Sequence, residues 1–453
     1  MRRMPKTDEK TLVRGLRNRH IQLIAIGGAI GTGLFLGSGK SIHLAGPSIM
    51  LVYLIVGVML FFMMRALGEL LVYKPTSGSF AEFAETFIGP WAGFVTGWTY
   101  WFCWIVTGIA EITAVGVYVK YWFPSVPQWL SALVCVLVLF LINMATVKAF
   151  GEMEFWFALI KIFTIIALIV IGLVMVLAGF ESHDTRATFS NLWSHGGFFP
   201  NGFSGFILAF QMAVFAFTGI ELIGVTAGET LDPERTIPKA INNIPIRILI
   251  FYVGALLIIM SIYPWNGMDP ASSPFVKVFS LIGIPSAAGL INFVVLTAAA
   301  SSCNSGIFST SRMLYALGQE GKAPNGLKSL NARNIPALAL MVSTAVLLIG
   351  VWLNYLLPDE VFTLVTSIST ICFIWVWGVI LVAHMRYRKL KPEEAEKNPF
   401  KMPFAPYINW VVLAFFVFVV VVLGFASDTR VALFVTPVWF ILLLIAYQFV
   451  RKK

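Results

Sequence analysis

Apolar segments of about 20 residues follow one another through most of the chain, and this constrains the fold more than any other feature. A backbone inside lipid can satisfy its hydrogen bonds only as a helix or a closed barrel, and these segments have helix length. Twelve candidate spans lie at about residues 20–41, 47–72, 92–120, 127–147, 155–179, 202–228, 243–264, 279–311, 336–356, 361–385, 407–425 and 431–450. The sequence therefore predicts an all-α polytopic membrane protein with twelve transmembrane helices.

The charged residues are few, and the basic ones lie between the apolar segments. Of 453 residues, 58% are hydrophobic and 12% are charged, whereas a soluble domain carries about 25% charged residues. The net charge of +10 comes from loops, so we expect the lipid bilayer as a partner and no nucleic acid. Because Lys and Arg mark cytoplasmic loops, segment 1–19, loop 386–406 and residues 451–453 predict that both termini are cytoplasmic.

The sequence predicts no enzyme, cofactor or metal site. It contains no G-x-x-x-x-G-K-[ST] phosphate-binding segment, and loops 180–201 and 386–406 are too short for a separate catalytic domain. No nucleophile is paired with a base, and neither His20 nor His43, at the two ends of the first span, has a carboxylate or cysteine partner at ligand spacing. The four cysteines all lie in apolar segments, so we interpret them as small packing residues: Cys103, Cys135, Cys303 and Cys372.

The first span is unusually rich in glycine, with Gly27, Gly28, Gly31 and Gly33. Each glycine costs a helix up to about 1 kcal/mol relative to alanine, so this density predicts a break. A break creates a half-helix N-terminus, whose N–H groups and dipole suit a carboxylate ligand. The alternative is close helix packing through small residues; the density of glycine favours the ligand site.

The sixth span also carries a glycine and an acid at mid-span, Gly219 and Glu221. An acid inside the membrane is costly, so a functional role is the default, although Glu221 could also cap a broken helix. Interrupted helices in matching positions of two halves point to a transporter site. The first and sixth spans match if residues 20–179 and 202–385 are five-helix inverted repeats, and the two remaining spans lie in 407–450.

Two further ionisable residues lie inside predicted spans. Lys161 lies about two turns within the fifth span, where burial disfavours a charged ammonium and would let the lysine load and unload a proton. The alternative is that its ammonium snorkels to the cytoplasmic interface. Glu154 marks that end of the helix, and the seven residues from Glu154 to Lys161 make ~10 Å of rise, near the limit for snorkelling. Glu111 in the third span could contact a substrate amine, bind a proton or pair with another helix, and the sequence leaves these three open.

Two polar or aromatic clusters have ambiguous roles. The eighth span is rich in hydroxyls, and a serine such as Ser301 or Ser302 is expected to bond to the preceding turn of its own helix rather than to line a site. Aromatic residues crowd positions 91–104, where we expect an interfacial belt, with one or two members as possible gates: Trp91, Trp98, Tyr100, Trp101, Phe102 and Trp104.

Together these segments resemble the amino acid permeases of the amino acid–polyamine–organocation superfamily. The resemblance is carried by residues 27–35, 151–156, 215–221 and 309–313 and extends over the whole chain. Residues 19–33, 97–104 and 291–297 are most similar to the D-serine/D-alanine/glycine permease branch. Glu111 departs from that branch, where an aspartate is usual.

The resemblance implies roles for the residues of the two broken spans. Gly31, Thr32 and Gly33 would hold a substrate carboxylate, and the carbonyls of Ala29, Phe215 and Thr218 would hold its ammonium. Ala216 would belong to the same binding segment, with Glu111 near the substrate, and the Phe215 ring would cover the substrate. Lys161 would take the place that sodium occupies in sodium-coupled relatives, and Glu221 would act in coupling or gating.

The resulting hypothesis is a permease in a bacterial cell membrane that imports small neutral amino acids together with protons by alternating access. Alanine, glycine, serine and D-isomers are the expected substrates. The alternative is a permease or exchanger on the same fold for threonine, proline, aromatic amino acids or γ-aminobutyrate.

Overall fold

The computed structural model describes residues 30–76, 79–145, 147–182, 185–227, 232–281 and 285–451. Ala29 and the predicted cytoplasmic segment 1–19 lie outside these ranges. The described chain is helical apart from turns and one antiparallel pair of two-residue strands, Glu181–Ser182 with Thr185–Arg186.

The helices are numbered here in chain order. They are α1 Thr32–Phe35, α2 Gly37–Ala45, α3 Ile49–Tyr73, α4 Ser79–Phe87, α5 Pro90–Val119, α6 Gln128–Asn143, α7 Val147–Ala178, α8 Gly202–Leu208, α9 Phe210–Ala216, α10 Leu222–Thr226, α11 Pro233–Asn242, α12 Ile244–Arg247, α13 Ala255–Ile262, α14 Pro274–Leu281, α15 Pro285–Gln319, α16 Ala337–Leu356, α17 Val361–Leu390, α18 Pro392–Lys397, α19 Tyr407–Val422 and α20 Ser427–Arg451. A π-helical stretch, Ile248–Gly254, joins α12 to α13.

Within the described residues, eight helical segments are long and apolar enough to cross a bilayer. Shorter apolar helices lie at Gln128–Asn143, Gly202–Ala216 and Tyr407–Val422. The eight segments are Gly37–Tyr73, Pro90–Val119, Glu152–Ala178, Pro233–Ile262, Ser286–Gln319, Ala337–Leu356, Val361–Leu390 and Ser427–Arg451. The prediction of an all-helical chain with several membrane-spanning segments is therefore confirmed.

Helix α5 lies at the centre of the protein, packed most extensively against α15 and α17. In its most apolar stretch 83% of the residues are buried, against 11% in the last helix, α20. A helix buried on all sides by protein can carry polar side chains inward, so α5 is well placed to contribute to an internal site.

The expectation of an interfacial aromatic belt at 91–104 is wrong for three residues. Tyr100, Trp101 and Trp104 are buried in the interior, whereas Trp91 is 41% exposed. The cause is the central position of α5, whose apolar faces meet protein rather than lipid. Periodicity alone does not distinguish these two surroundings, because both are apolar.

A buried carboxylate ties together one end of three helices. Glu69 of α3 accepts hydrogen bonds from Arg388 Nε and Nη2 at 2.9 and 2.8 Å, and from His384 Nε2 at 3.0 Å, both on α17. The backbone N–H of Met402 donates to the same carboxylate at 2.6 Å. Asn409 of α19 in turn donates to His384 Nδ1 at 3.0 Å. This network fixes α3, α17 and the segment that leads into α19.

Candidate functional site

The described part of the first span begins with a non-helical turn. Gly31 has an extended backbone, with φ −127° and ψ −158°, and α1 begins immediately after it at Thr32. Gly31, Thr32 and Gly33 are all buried. The described residues therefore agree with a helix start at the predicted break, and Ala29 lies just outside them.

The sixth span is interrupted as predicted. Helix α9 ends at Ala216, and α10 begins only at Leu222. Between them Gly219 has φ +97°, a conformation that a residue with a side chain rarely adopts. The break therefore depends on glycine at this position.

The two interrupted segments are in direct contact. A Cβ atom placed on Gly33 would lie 2.5 Å from Cα of Ala216, so only glycine allows this approach. A Cβ atom on Gly31 would lie 2.9 Å from Oε1 of Glu111 and 3.3 Å from Oγ of Ser302. The glycines thus bring the first span against the sixth span on one side and against α5 and α15 on the other.

Glu221 is fully buried and forms a hydrogen bond to the break in the sixth span. Its carboxylate accepts hydrogen bonds from the Gly219 N–H at 3.2 Å, from Tyr100 OH at 3.3 Å and from Trp377 Nε1 at 3.4 Å. The bond to Gly219 ties the acid to the interrupted segment, whereas Glu221 stands directly before α10 and makes no side-chain cap bond to that helix. Because the donors come from α5 and α17 as well as from the break, the same carboxylate also joins three separate elements.

The carbonyl groups near the break are already engaged in this conformation. The Phe215 carbonyl accepts from the Thr218 N–H at 3.0 Å and from Thr218 Oγ1 at 2.8 Å. The Ala216 carbonyl accepts from Tyr252 OH at 3.0 Å. An ammonium at Phe215 would have to displace the Thr218 hydroxyl, since a carbonyl oxygen has two lone pairs. The Phe215 ring is buried and meets the edge of Phe362, with centroids 6.4 Å apart.

Lys161 is fully buried, so the snorkelling alternative is wrong for this conformation. It interacts electrostatically with two carboxylates, Glu154 of its own helix and Glu111 of α5. Glu111 also interacts with Thr32 and Ser302. One Glu111 oxygen, Oε2, and Thr32 Oγ1 are buried outside hydrogen-bond geometry with any described residue. The predicted lysine and third-span acid therefore belong to one buried cluster of ionisable groups beside the first break.

The hydroxyl side chains of α15 divide into two groups. Thr310 and Ser311 bond to the preceding turn of their own helix, as expected, at 3.0 and 2.8 Å. The expectation is wrong for Ser301, whose hydroxyl lies 2.9 and 3.0 Å from the two carboxylate oxygens of Glu154. The difference follows from a buried acceptor on the neighbouring helix, which offers a charge-assisted hydrogen bond.

Sequence reasoning did not assign Tyr100 and Trp377 to the site, and it used Glu154 only as a depth marker. For Tyr100 a signal exists, since it shares a 4-3-4 helical spacing with Trp104, Thr107 and Glu111. Glu154 and Lys161 are likewise seven residues apart on one helix face. Trp377 gave no signal, because its contact with Glu221 joins residues 156 positions apart.

A helical membrane protein in which two broken helices meet beside buried acids and a lysine has the architecture of a secondary transporter. The chain belongs to the amino acid permease family, whose family model matches residues 20–453. The family and the names of its members indicate a transporter and not an enzyme.

Relatives are similar over nearly their whole length. The amino-acid permease AapA of Bacillus subtilis (strain 168) is 60% identical over 445 residues, covering 98% of this chain and 96% of the relative. The D-serine/D-alanine/glycine transporter of Escherichia coli (strain K12) is 56% identical over 448 residues, covering 98% and 95%. A probable threonine/serine transporter of Bacillus subtilis (strain 168) is 49% identical over 438 residues, covering 97% and 95%.

Proposed function

We propose that this permease imports small neutral amino acids together with protons, with alanine, glycine, serine and their D-isomers as substrates. The observation that carries the proposal is the contact between the two helix breaks beside Glu111 and Lys161. The breaks offer backbone groups that can bind the carboxylate and ammonium of an amino acid. The buried lysine next to them can exchange a proton.

The substrate class rests on the relatives and on the charges around the breaks. A D-serine/D-alanine/glycine transporter is 56% identical over almost the full length. The buried charges near the breaks, Glu111, Lys161 and Glu221, are all engaged with protein groups. A small neutral side chain requires no further charged partner, which agrees with this arrangement.

The architecture we propose has twelve spans, of which 20–179 and 202–385 form two inverted five-helix repeats. Helices in 407–450 are peripheral, and the low burial of α20 supports this position. The N-terminal segment 1–19, loop 386–406 and residues 451–453 face the cytoplasm of a bacterium, because Lys and Arg concentrate there. The protein thus lies in the cell membrane.

In this mechanism the substrate carboxylate binds the backbone of Gly31, Thr32 and Gly33 at the start of α1. Its ammonium binds carbonyls of Ala29, Phe215 and Thr218, next to Ala216, and the Phe215 ring covers it. Glu111 borders the carboxylate end and links it to Lys161. Alternating access then follows when the broken helices rock against the remaining helices. Glu221 transmits movement of the sixth span to α5 and α17.

The test is uptake of labelled alanine into proteoliposomes under an inward proton gradient and without sodium. Uptake should collapse when a protonophore removes the gradient, and unlabelled glycine, serine or D-alanine should compete. Uptake that is insensitive to the protonophore would overturn proton symport.

A second candidate is a permease for threonine and serine, favoured by the relative named for that activity at 49% identity. The same assay separates the two. If threonine competes more strongly than glycine or D-alanine, the preferred substrates are threonine and serine. An exchanger would take up alanine only when the lumen already contains amino acid.

A further inference from the structure

Glu154 is a buried carboxylate that the proposed substrate site does not use. It lies in α7 and is 1% exposed. Ser301 Oγ of α15 lies 2.9 Å from its Oε1 and 3.0 Å from its Oε2, and Ser305 also interacts with it. A fully buried acid inside a membrane helix has function as its default interpretation, and here a neighbouring helix supplies two hydroxyls to hold it.

The helix geometry directs Lys161 toward this carboxylate. The seven residues from Glu154 to Lys161 make about two turns and ~10 Å of helix rise, so both project from similar faces. Side chains on a helix tilt toward its N-terminus, and a lysine is long enough to cover much of that rise. The two residues interact electrostatically, as expected from this arrangement.

Lys161 is therefore shared between two acids with different surroundings. Glu111 lies beside Gly31 and the first break, with Ser302 next to it. Glu154 lies nearer the start of α7 than Lys161 does and accepts a hydrogen bond from Ser301, the residue before Ser302. Consecutive serines of α15 thus contact the two carboxylates. Ser302 lies by Glu111 near the proposed substrate site, and Ser301 lies by Glu154, away from that site.

Polar residues continue from Glu154 toward the predicted cytoplasmic surface. Asn304, one turn beyond Ser301 in α15, accepts from Asn143 Nδ2 at 2.7 Å. Asn143 is the last residue of α6, where the proposed topology places the chain at the cytoplasmic side. Nδ2 of Asn304 is buried and has no hydrogen-bond partner among the described residues. Buried polar side chains therefore extend from Glu154 to the predicted cytoplasmic end of α6.

Resting on the proposed proton symport, we propose that Glu154 is the cytoplasmic proton acceptor of Lys161. When Lys161 carries the proton, an N–H bond of its ammonium breaks and an O–H bond forms on the Glu154 carboxylate, leaving a neutral amine and a neutral acid. Glu154 then releases the proton to cytoplasmic water and returns to a carboxylate. Glu111 couples the same lysine to the occupied substrate site.

The test compares Glu154→Gln with the unaltered protein in proteoliposomes, using labelled alanine in two assays. Gln keeps the size and a hydrogen-bond acceptor for Ser301 but cannot take the proton. Accumulation driven by a proton gradient should fall about tenfold or more, as for loss of a proton-transferring group. Counterflow, with alanine on both sides and no gradient, needs no net proton release and should continue at a rate close to that of the unaltered protein.

Three results would overturn the proposal. Gradient-driven accumulation by Glu154→Gln at the unaltered level would show that the carboxylate is dispensable. Equal loss in both assays by a folded variant would assign Glu154 a structural role only. Absence of gradient-driven accumulation in the unaltered protein would overturn proton symport itself, and with it this inference.

If Glu154→Gln does not fold, Ser301→Ala provides the second test. It keeps the acid but removes a hydroxyl that stabilises its charged form, so proton release should slow. Gradient-driven uptake should fall several-fold, by about threefold to tenfold, while counterflow is maintained. The matched control is Ser311→Ala in the same helix, whose hydroxyl bonds, among the residues that the structure describes, to its own turn at Phe308. Equal gradient-driven uptake by the two serine variants would contradict the proposal.

Discussion

Gly33 and Ala216 hold the two broken helices in backbone contact, since a Cβ atom on Gly33 would lie 2.5 Å from the Ala216 Cα atom. Gly33→Ala should therefore separate the breaks, because neither partner is a side chain that can rotate away. Overpacking of this kind costs about 1–3 kcal/mol. We expect alanine uptake to be lost while the protein still inserts, measured as uptake normalised to purified protein.

Gly37→Ala is the matched control for that prediction. Its Cβ atom would meet Sδ of Met212 at 2.5 Å, and a methionine side chain can shift. Uptake by Gly37→Ala should therefore stay well above that of Gly33→Ala. Equal uptake by the two variants would show that contact between the breaks is not required.

Glu221→Gln should reduce transport more than substrate binding. The Glu221 carboxylate accepts hydrogen bonds from Gly219, Tyr100 and Trp377, and an amide would turn an NH₂ group toward some of these donors. A buried donor left without its acceptor costs about 1–3 kcal/mol, so we expect transport to fall about tenfold. Tyr100→Phe removes one donor and should have a smaller effect. Parallel loss of binding and transport in Glu221→Gln would indicate a structural cap alone.

Lys161→Ala should abolish accumulation driven by a proton gradient. The lysine is fully buried and interacts with Glu111 and Glu154, so its removal eliminates the group proposed to carry the proton. The exposed Lys120 at the end of α5 is the control, and Lys120→Ala should transport normally. Robust accumulation by Lys161→Ala would exclude lysine as the carrier.

Glu69→Gln should lower the thermal stability of the purified protein. Loss of the charge leaves Arg388 without its buried partner, and breaking a buried ion pair costs about 3–5 kcal/mol. Because Arg388 is partly exposed, we expect a loss of stability toward the lower end of this range. The control Lys74→Met breaks a 2.8 Å surface pair with Glu82, which contributes at most about 1 kcal/mol. Similar melting temperatures for the two variants would show that the Glu69 network contributes little.

The apolar segments and the mid-span glycines made much of this fold predictable. Segment length indicated an all-helical chain with several membrane-spanning segments, and Gly219 with Glu221 located the break between α9 and α10, because glycine-interrupted apolar segments are typical of transporter helices. The depth of Lys161 in an apolar segment favoured burial over snorkelling, and the structure places the side chain in the interior. These features are local, so one sequence is sufficient to reveal them.

Contacts between distant elements were not predictable in the same way. The bond from Ser301 to Glu154 joins residues 147 positions apart, and a serine in a helix usually bonds to its own turn. The burial of Trp104 depends on α5 being surrounded by other helices, which its own sequence does not reveal. Long-range partners of this kind decide which polar residues belong to the site.

Proton movement on addition of substrate tests the central claim most directly. Proteoliposomes that contain a pH-sensitive dye, with equal pH on both sides and no sodium, are mixed with glycine or alanine, and arginine serves as the control. Our account predicts that the lumen acidifies with glycine and alanine, does not acidify with arginine, and fails to acidify in Lys161→Ala liposomes. Uptake of labelled glycine without acidification of the lumen would contradict proton symport.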